Sequence, residues 1–359
     1  MSANKFHFPN LNGLRFIAAL LVIICHFHQR RADFGIDNLT SSPIIVGFGI
    51  TGVNIFFVLS GFLITTLLLR EKLLTGIINL KNFYVRRILR IWPLYFFIIG
   101  LCFFVVPHIP LLHIPGIEIN QAHFWHSLIV FSLILPAFAM KLFGDIPLTV
   151  MTWSIGVEEV FYLITPLLLK FTKYILAAFL LFALVFLFLG NGFIHNESGN
   201  KFIGVIILFL ADLRLTCLAL GSIAAIVWHK YPEIIKKFIL NVPVQILFYI
   251  LAILSLLRVI YHETFNNELF SFFVSIIVLN LALNEKSLLN LSHPVFEYLG
   301  KISYGIYMYH LFPMVFFCNL IPNANAYLVF VLDIAITIGL ASLSYKYFEG
   351  YFLKLKHKF

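Results

Sequence analysis

Two side chains in the first apolar stretch, "GLRFIAALLVIICHFHQRR" (13–31), have types suited to joint chemistry: Arg15, a fixed cation, and His26, a titratable base. Eleven residues separate them, which on an α-helix is three turns plus about 20° and a rise of roughly 16 Å. Both therefore lie on one face of one helix, a permanent charge at one end and a proton acceptor at the other. A second group is "NFYVRRILRIWPLY" (82–95). Arg86 and Arg90 share a face at i, i+4 with Arg87 beside them, and guanidinium forks near a helix N-terminus suit phosphate oxygens. The plainer reading is a basic anchor at a membrane edge. A third is "WSIGVEEVFYLITP" (153–166), with Glu158 and Glu159 early in a helix.

The elements that must carry these groups are membrane spans. The 359 residues are 61% hydrophobic, 17% aromatic and 11% charged, with mean hydropathy +0.97. A soluble domain is nearer a quarter charged. Eleven apolar segments recur, at roughly 12–29, 44–69, 88–106, 124–142, 153–169, 174–190, 203–228, 243–260, 269–283, 302–321 and 327–348. If all eleven cross, "HKYPEIIKK" (229–237) and "KLKHK" (354–358) fall on the outer side, against the positive-inside rule. If 124–142, which opens "FWHS" and carries Pro136, is re-entrant or interfacial, those runs join Arg70–Arg90 on the cytoplasmic side. The expectation is an all-α, polytopic transmembrane helical bundle of about ten crossings, one domain over 1–359, with both termini cytoplasmic. The net charge of +9 then belongs to topology and the lipid bilayer rather than to nucleic acid.

Outer loops 106–123 and 191–200 are rich in His, Asn, Glu and Pro. They suit a polar, uncharged ligand or plain solvation. Cys25, Cys102, Cys217 and Cys318 all lie in apolar segments without CxxC spacing, and read as packing residues with no metal site. Arg15, Glu158, Glu159, Asp212, Arg214 and Asp333 at about 2.5–3.5 kcal/mol each would together cost on the order of 15–20 kcal/mol unpaired. These groups must face one another or a wet cavity. Asp212 and Arg214, two apart, point to different sides of their helix, so each needs another partner. In "GVNIFFVLSGFL" (52–63), Gly52, Ser60 and Gly61 allow close helix packing, and small side chains also leave room for a passage.

Taken in order, "NGLRFIAALLVIICH", "GVNIFFVLSGFLI", "RRILRIWPLY", "WSIGVEEVFYLITP", "LGKISYGIYMYH" and "SYKYFEGYF" resemble the membrane O-acyltransferases of the acyltransferase-3 family, from about residue 8 to 350. The resemblance implies transfer of an acyl group, by family frequency acetyl, from cytoplasmic acetyl-CoA to a hydroxyl of a surface glycan or lipid-linked glycan. O-antigen, other lipopolysaccharide sugars and capsule are acceptors of this class. It also implies a bacterial inner membrane. Arg15 and His26 occupy its signature pair, Arg87 and Arg90 its arginine–two–arginine element, and Glu158 the glutamate after Trp153. Some members carry an added periplasmic esterase-like domain, which is not expected here. Two departures stand out. "LADLRLTCLALG" places its arginine later than relatives tend to, and "YFEGYF" replaces a Glu-Arg-Pro ending.

On this reading His26 removes the acceptor's proton, and Glu158 orients the imidazole or balances its charge. Arg86, Arg87 and Arg90 hold acyl-CoA phosphates, and Arg15 lines the path of the thioester arm. Direct transfer and an acyl-histidine intermediate both remain open. The competing readings are a transporter or flippase for a glycan or lipid precursor, using the same polar stripe, and a structural subunit of a glycan-synthesis complex. Dependence on acyl-CoA separates the enzyme from both.

Overall fold

The computed structural model describes residues 8–190, 201–356 and 358–359. The expected glycan-facing loop 191–200 lies outside the described residues. Among those described there is no strand, only an isolated bridge between Ile114 and Ile117.

The chain opens with three long helices, α1 (Pro9–Asp33), α2 (Pro43–Thr75) and α3 (Leu80–Phe104). Two short ones follow, α4 (Phe124–Ser132) and α5 (Pro136–Phe143). Next come α6 (Trp153–Phe171), α7 (Ile175–Gly190), α8 (Lys201–Asp212), α9 (Leu215–Lys230) and α10 (Pro232–Phe238). After α11 (Val242–Leu256) and α12 (Asn266–Leu283) the chain makes α13 (Pro294–Lys301), α14 (Ser303–Tyr309), α15 (Leu311–Leu320) and α16 (Ala326–Leu343). A π-helical turn over Ser344–Glu349 leads into α17 (Gly350–Lys356).

Local chemistry explains the boundaries. Proline occupies the first turn of α1 and α2, where its missing N–H costs nothing. Asn79 caps α3 by accepting from the Asn82 N–H, and Gly76, at φ 77°, ends α2 in a conformation other residues adopt at a cost. The stretch 124–142 breaks at Ile134, itself at φ 59°, and the pieces of nine and eight residues rise only about 12–14 Å each. Neither is long enough to cross a bilayer alone.

Six helices are long and apolar enough to span: Pro9–Asp33, Pro43–Thr75, Leu80–His108, Phe209–Lys230, Asn266–Leu283 and Ala326–Lys356. A seventh is the pair α10 and α11, bent by 78°. This is a multi-pass membrane protein. The expected count of about ten would need three more: α6, which carries Glu158 and Glu159, the 16-residue α7, and α14 with α15, which break at His310.

Helix α2 runs through the middle, packed on α1, α6, α9, α11 and α12. A Cβ at Gly61 would strike the Leu218 carbonyl, and one at Gly221 the Val58 carbonyl, so α2 and α9 cross backbone to backbone. Gly52 does the same toward Ala18 of α1. The four cysteines are buried and unpaired.

Candidate active site

A polar cleft opens where α1, α2, α3, α6 and α14 converge. Its cavity volume is about 90 Å³, a narrow channel open at one side. Its cationic wall is Arg15, Arg87 and Arg90, and its one carboxylate is Glu158. Ser60 Oγ donates to Glu158 Oε1 at 3.0 Å, and the Tyr162 hydroxyl, one turn along α6, donates to Oε2. Both carboxylate oxygens are thereby held. Arg15 Nη1 reaches only back to Asn12 Oδ1, at 3.3 Å. The Arg87 guanidinium lies 5.8 Å from the Phe83 ring and 5.9 Å from that of Tyr162, and its Nε has no partner. None of the three arginines forms an ion pair among the described residues. Three cations face one carboxylate, so the cleft has an unbalanced positive charge that an anionic ligand would neutralise.

The cationic wall continues into a second depression. Arg15, Arg90 and Tyr304 line both. The second adds Asn12, Lys301, Lys356, Tyr345 and Glu349, from the start of α1, the end of α13 and the C-terminal helix. It forms a vestibule at the end of the bundle where α1 and α3 begin. Lys301 also pairs with Glu297 at 2.7 Å, and Glu349 accepts from Ser344 at 3.0 Å. The departure "YFEGYF" therefore places its glutamate in the vestibule wall.

Arg86 is elsewhere. It pairs with Glu71 at 3.4 Å, donates to the Phe359 carbonyl at 2.8 Å, and lines neither depression. The i, i+4 spacing of Arg86 and Arg90 suggested a joint clamp, but α3 turns Arg90 and Arg87 into the bundle and leaves Arg86 at its rim.

His26 lies further along α1, beyond the cleft. Its Nδ1 is 2.7 Å from Nε2 of His310, the residue at the break between α14 and α15. His310 is fully buried, and its Nδ1 lies 2.6 Å from the Tyr307 carbonyl oxygen. Tyr307 lines the cleft, and its hydroxyl bonds to Ser154, which lines it too, at 2.8 Å. His26 is thus joined to the cleft through α14. The expected partner of its imidazole was Glu158; the structure engages that carboxylate with Ser60 and Tyr162 and gives His26 a second histidine instead.

The other charges flagged in the apolar segments have mixed fates. Glu159 accepts from the Trp92 indole at 3.1 Å. Asp212, exposed at the surface, pairs with Lys141 of α5 at 2.7 Å, and Arg214 lines the same hollow as Trp153 and Asp145. Asp333 is buried with neither oxygen partnered. Sequence reasoning missed Lys301, Lys356, Tyr162 and Tyr304. Tyr304 recurs with Tyr307 at i, i+3, and Tyr162 follows Phe161 in an apolar run, patterns that packing alone also produces.

The acyltransferase domain model Acyl_transf_3 matches residues 8–346. Among curated proteins, the chain is 29% identical over 370 residues to the Staphylococcus aureus (strain COL) protein named "Putative O-acetyltransferase SACOL0978", covering 97% of this chain and 58% of that one. It is 26% identical over 376 residues to "O-acetyltransferase OatA" of S. aureus (strain NCTC 8325 / PS 47), covering 96% and 57%. The chain thus spans a little over half the length of these relatives. No solved structure matches it. With the match running through every helix that lines the cleft, the chain belongs to the acyltransferase-3 family.

Proposed function

We propose that this protein is an O-acyltransferase that takes an acyl group, acetyl in the simplest case, from acyl-CoA and delivers it to a hydroxyl of a surface glycan. The observation that carries the reading is the continuous cationic wall from Lys301 and Lys356 through Arg90 and Arg15 to Glu158. A polyanion with a long uncharged arm suits its charge: phosphates at the vestibule, the arm in the cleft, and the thioester end reaching on along α1 toward His26. The names of the S. aureus relatives support acetyl as the group.

His26 is the base for the acceptor hydroxyl, and Arg15 lines the path of the thioester arm toward it. The helix rise of roughly 16 Å between them matches a donor and an acceptor that arrive from opposite faces. The same logic supports about ten crossings, with both termini and the vestibule on the cytoplasmic side of a bacterial inner membrane. Arg90, at the end of the basic stretch 70–90, and Lys356, in the basic tail, both line the vestibule. No observation favours the transporter reading.

The test is O-acetyl content of surface glycan, by NMR, in gene-deleted cells restored with wild type or His26→Ala at matched membrane levels. Ester that returns with wild type and is absent with the variant supports acyl transfer through His26. Ester that never depends on the gene would sink the proposal.

A further inference from the structure

His26 and His310 meet edge to edge. Their ring planes are 5° apart, their centroids are 5.0 Å apart and the facing nitrogens 2.7 Å apart. Faces stacked on one another would not bring Nδ1 and Nε2 this close at that centroid distance. The two imidazoles lie nearly in one plane, so the lone pair of one ring points along the N–H of the other.

The direction of that bond follows from the far side of His310. Its Nδ1 is 2.6 Å from the Tyr307 carbonyl oxygen, which can only accept. Nδ1 of His310 therefore carries a hydrogen. In a neutral ring the other nitrogen, Nε2, is then an acceptor, and His26 must supply the hydrogen from its Nδ1. That choice leaves Nε2 of His26 with its lone pair free. Among the described residues no hydrogen bond reaches this atom. The helix break at His310 has a part in this: α14 ends at Tyr309, and the Tyr307 carbonyl accepts from the ring three residues on. Arg30, one turn along α1, is paired with Asp33 at 3.0 Å.

We propose that His310 is a positioning residue for acyl transfer: it fixes His26 in the Nδ1–H tautomer and so presents Nε2 as the base. This rests on the reading of His26 given above. In the transfer, the acceptor O–H gives its proton to His26 Nε2 while the oxygen forms a bond to the thioester carbonyl carbon. The carbon–sulfur bond breaks, and the proton ends on the departing thiolate. While His26 holds two protons, His310 Nε2 accepts from Nδ1 and shares the charge. In hydrolytic triads a carboxylate has this task; a neutral imidazole does it here without placing an anion in the membrane.

The experiment compares His310→Leu, His310→Gln and His26→Ala in inverted membrane vesicles of a gene-deleted host, which carry the host's own acceptor. Alkali-labile acetyl ester is followed against acetyl-CoA concentration, at matched folded protein by detergent size-exclusion. The glutamine amide oxygen can accept from His26 Nδ1 but cannot take a proton. His310→Leu is expected to lower kcat roughly ten- to hundredfold with KM for acetyl-CoA unchanged. His310→Gln should recover most of that loss, and His26→Ala should be at background. Full activity in His310→Leu, or equal losses in the leucine and glutamine variants, would overturn the role of His310 and leave His26 standing. Activity in His26→Ala would instead remove the base itself.

Discussion

Ser60 and Glu158, 98 positions apart in the chain, are joined by a 3.0 Å hydrogen bond that ties α2 to α6 across the floor of the cleft. The next residue, Gly61, turns about 100° round the helix and packs its backbone against α9. One dipeptide thus does two things: its glycine seats α2 against the bundle, and its serine holds the cleft's only carboxylate.

Ser60→Ala should cost activity more than stability. The carboxylate keeps Tyr162 but loses a charge-assisted hydrogen bond of about 1.5–3 kcal/mol, enough for roughly a tenfold fall or more in kcat/KM. Steady-state rates in vesicles with acetyl-CoA check this, beside the melting midpoint. An unchanged rate with a lowered midpoint would mean that the bond serves only packing.

Gly221→Val should do the reverse. Its Cβ would meet the Val58 carbonyl, and backbone cannot move aside as a side chain end can. Overpacking of this kind costs about 1–3 kcal/mol, and more where backbone is struck. Lower folded yield and an earlier thermal transition in size-exclusion are expected. Enzyme that survives should keep its KM for acetyl-CoA.

The vestibule separates Lys301 and Arg90 from Arg86. Lys301→Gln and Arg90→Gln should each raise KM for acetyl-CoA, and the loss should be smaller for desphospho donors such as short acyl-pantetheines. Added salt should weaken the wild type toward the variants, since the Debye length is only about 8 Å at physiological ionic strength. Arg86→Gln, with its partners Glu71 and Phe359 at the rim, should leave KM near wild type. A matching KM increase in Arg86→Gln would restore the arginine clamp expected from spacing.

How much of this was legible in the sequence depends on range. Helical periodicity put Arg15 and His26 on one face, because that relation lies within a single element. Apolarity located the six or seven helices long enough to span, short of the ten expected, and charge singled out 124–142, whose pieces are short. The partner of His26 was not legible, since His310 lies 284 positions away and its approach depends on where α14 breaks. Nor was the fate of Arg86: three arginines in five residues look alike until the neighbours of α3 are placed. Lys301 and Lys356 read as topology markers for the same reason.

Asp333, which the sequence flagged as a buried charge, lines neither the cleft nor the vestibule. It is 1% exposed, neither carboxylate oxygen has a partner, and the Thr337 hydroxyl one turn on is also unpartnered. A buried charge without a partner carries a large desolvation cost, so replacing the carboxylate with a neutral amide of the same shape removes that cost and no contact. Asp333→Asn should therefore melt at the same temperature or higher and keep wild-type transfer. Arg31, close enough to act on Asp333 electrostatically, already donates to the Asp37 carbonyl at 2.7 Å and does not depend on it. A lowered midpoint in Asp333→Asn, restored by the double variant with Arg31→Gln, would reveal an ion pair between them and reverse this assignment.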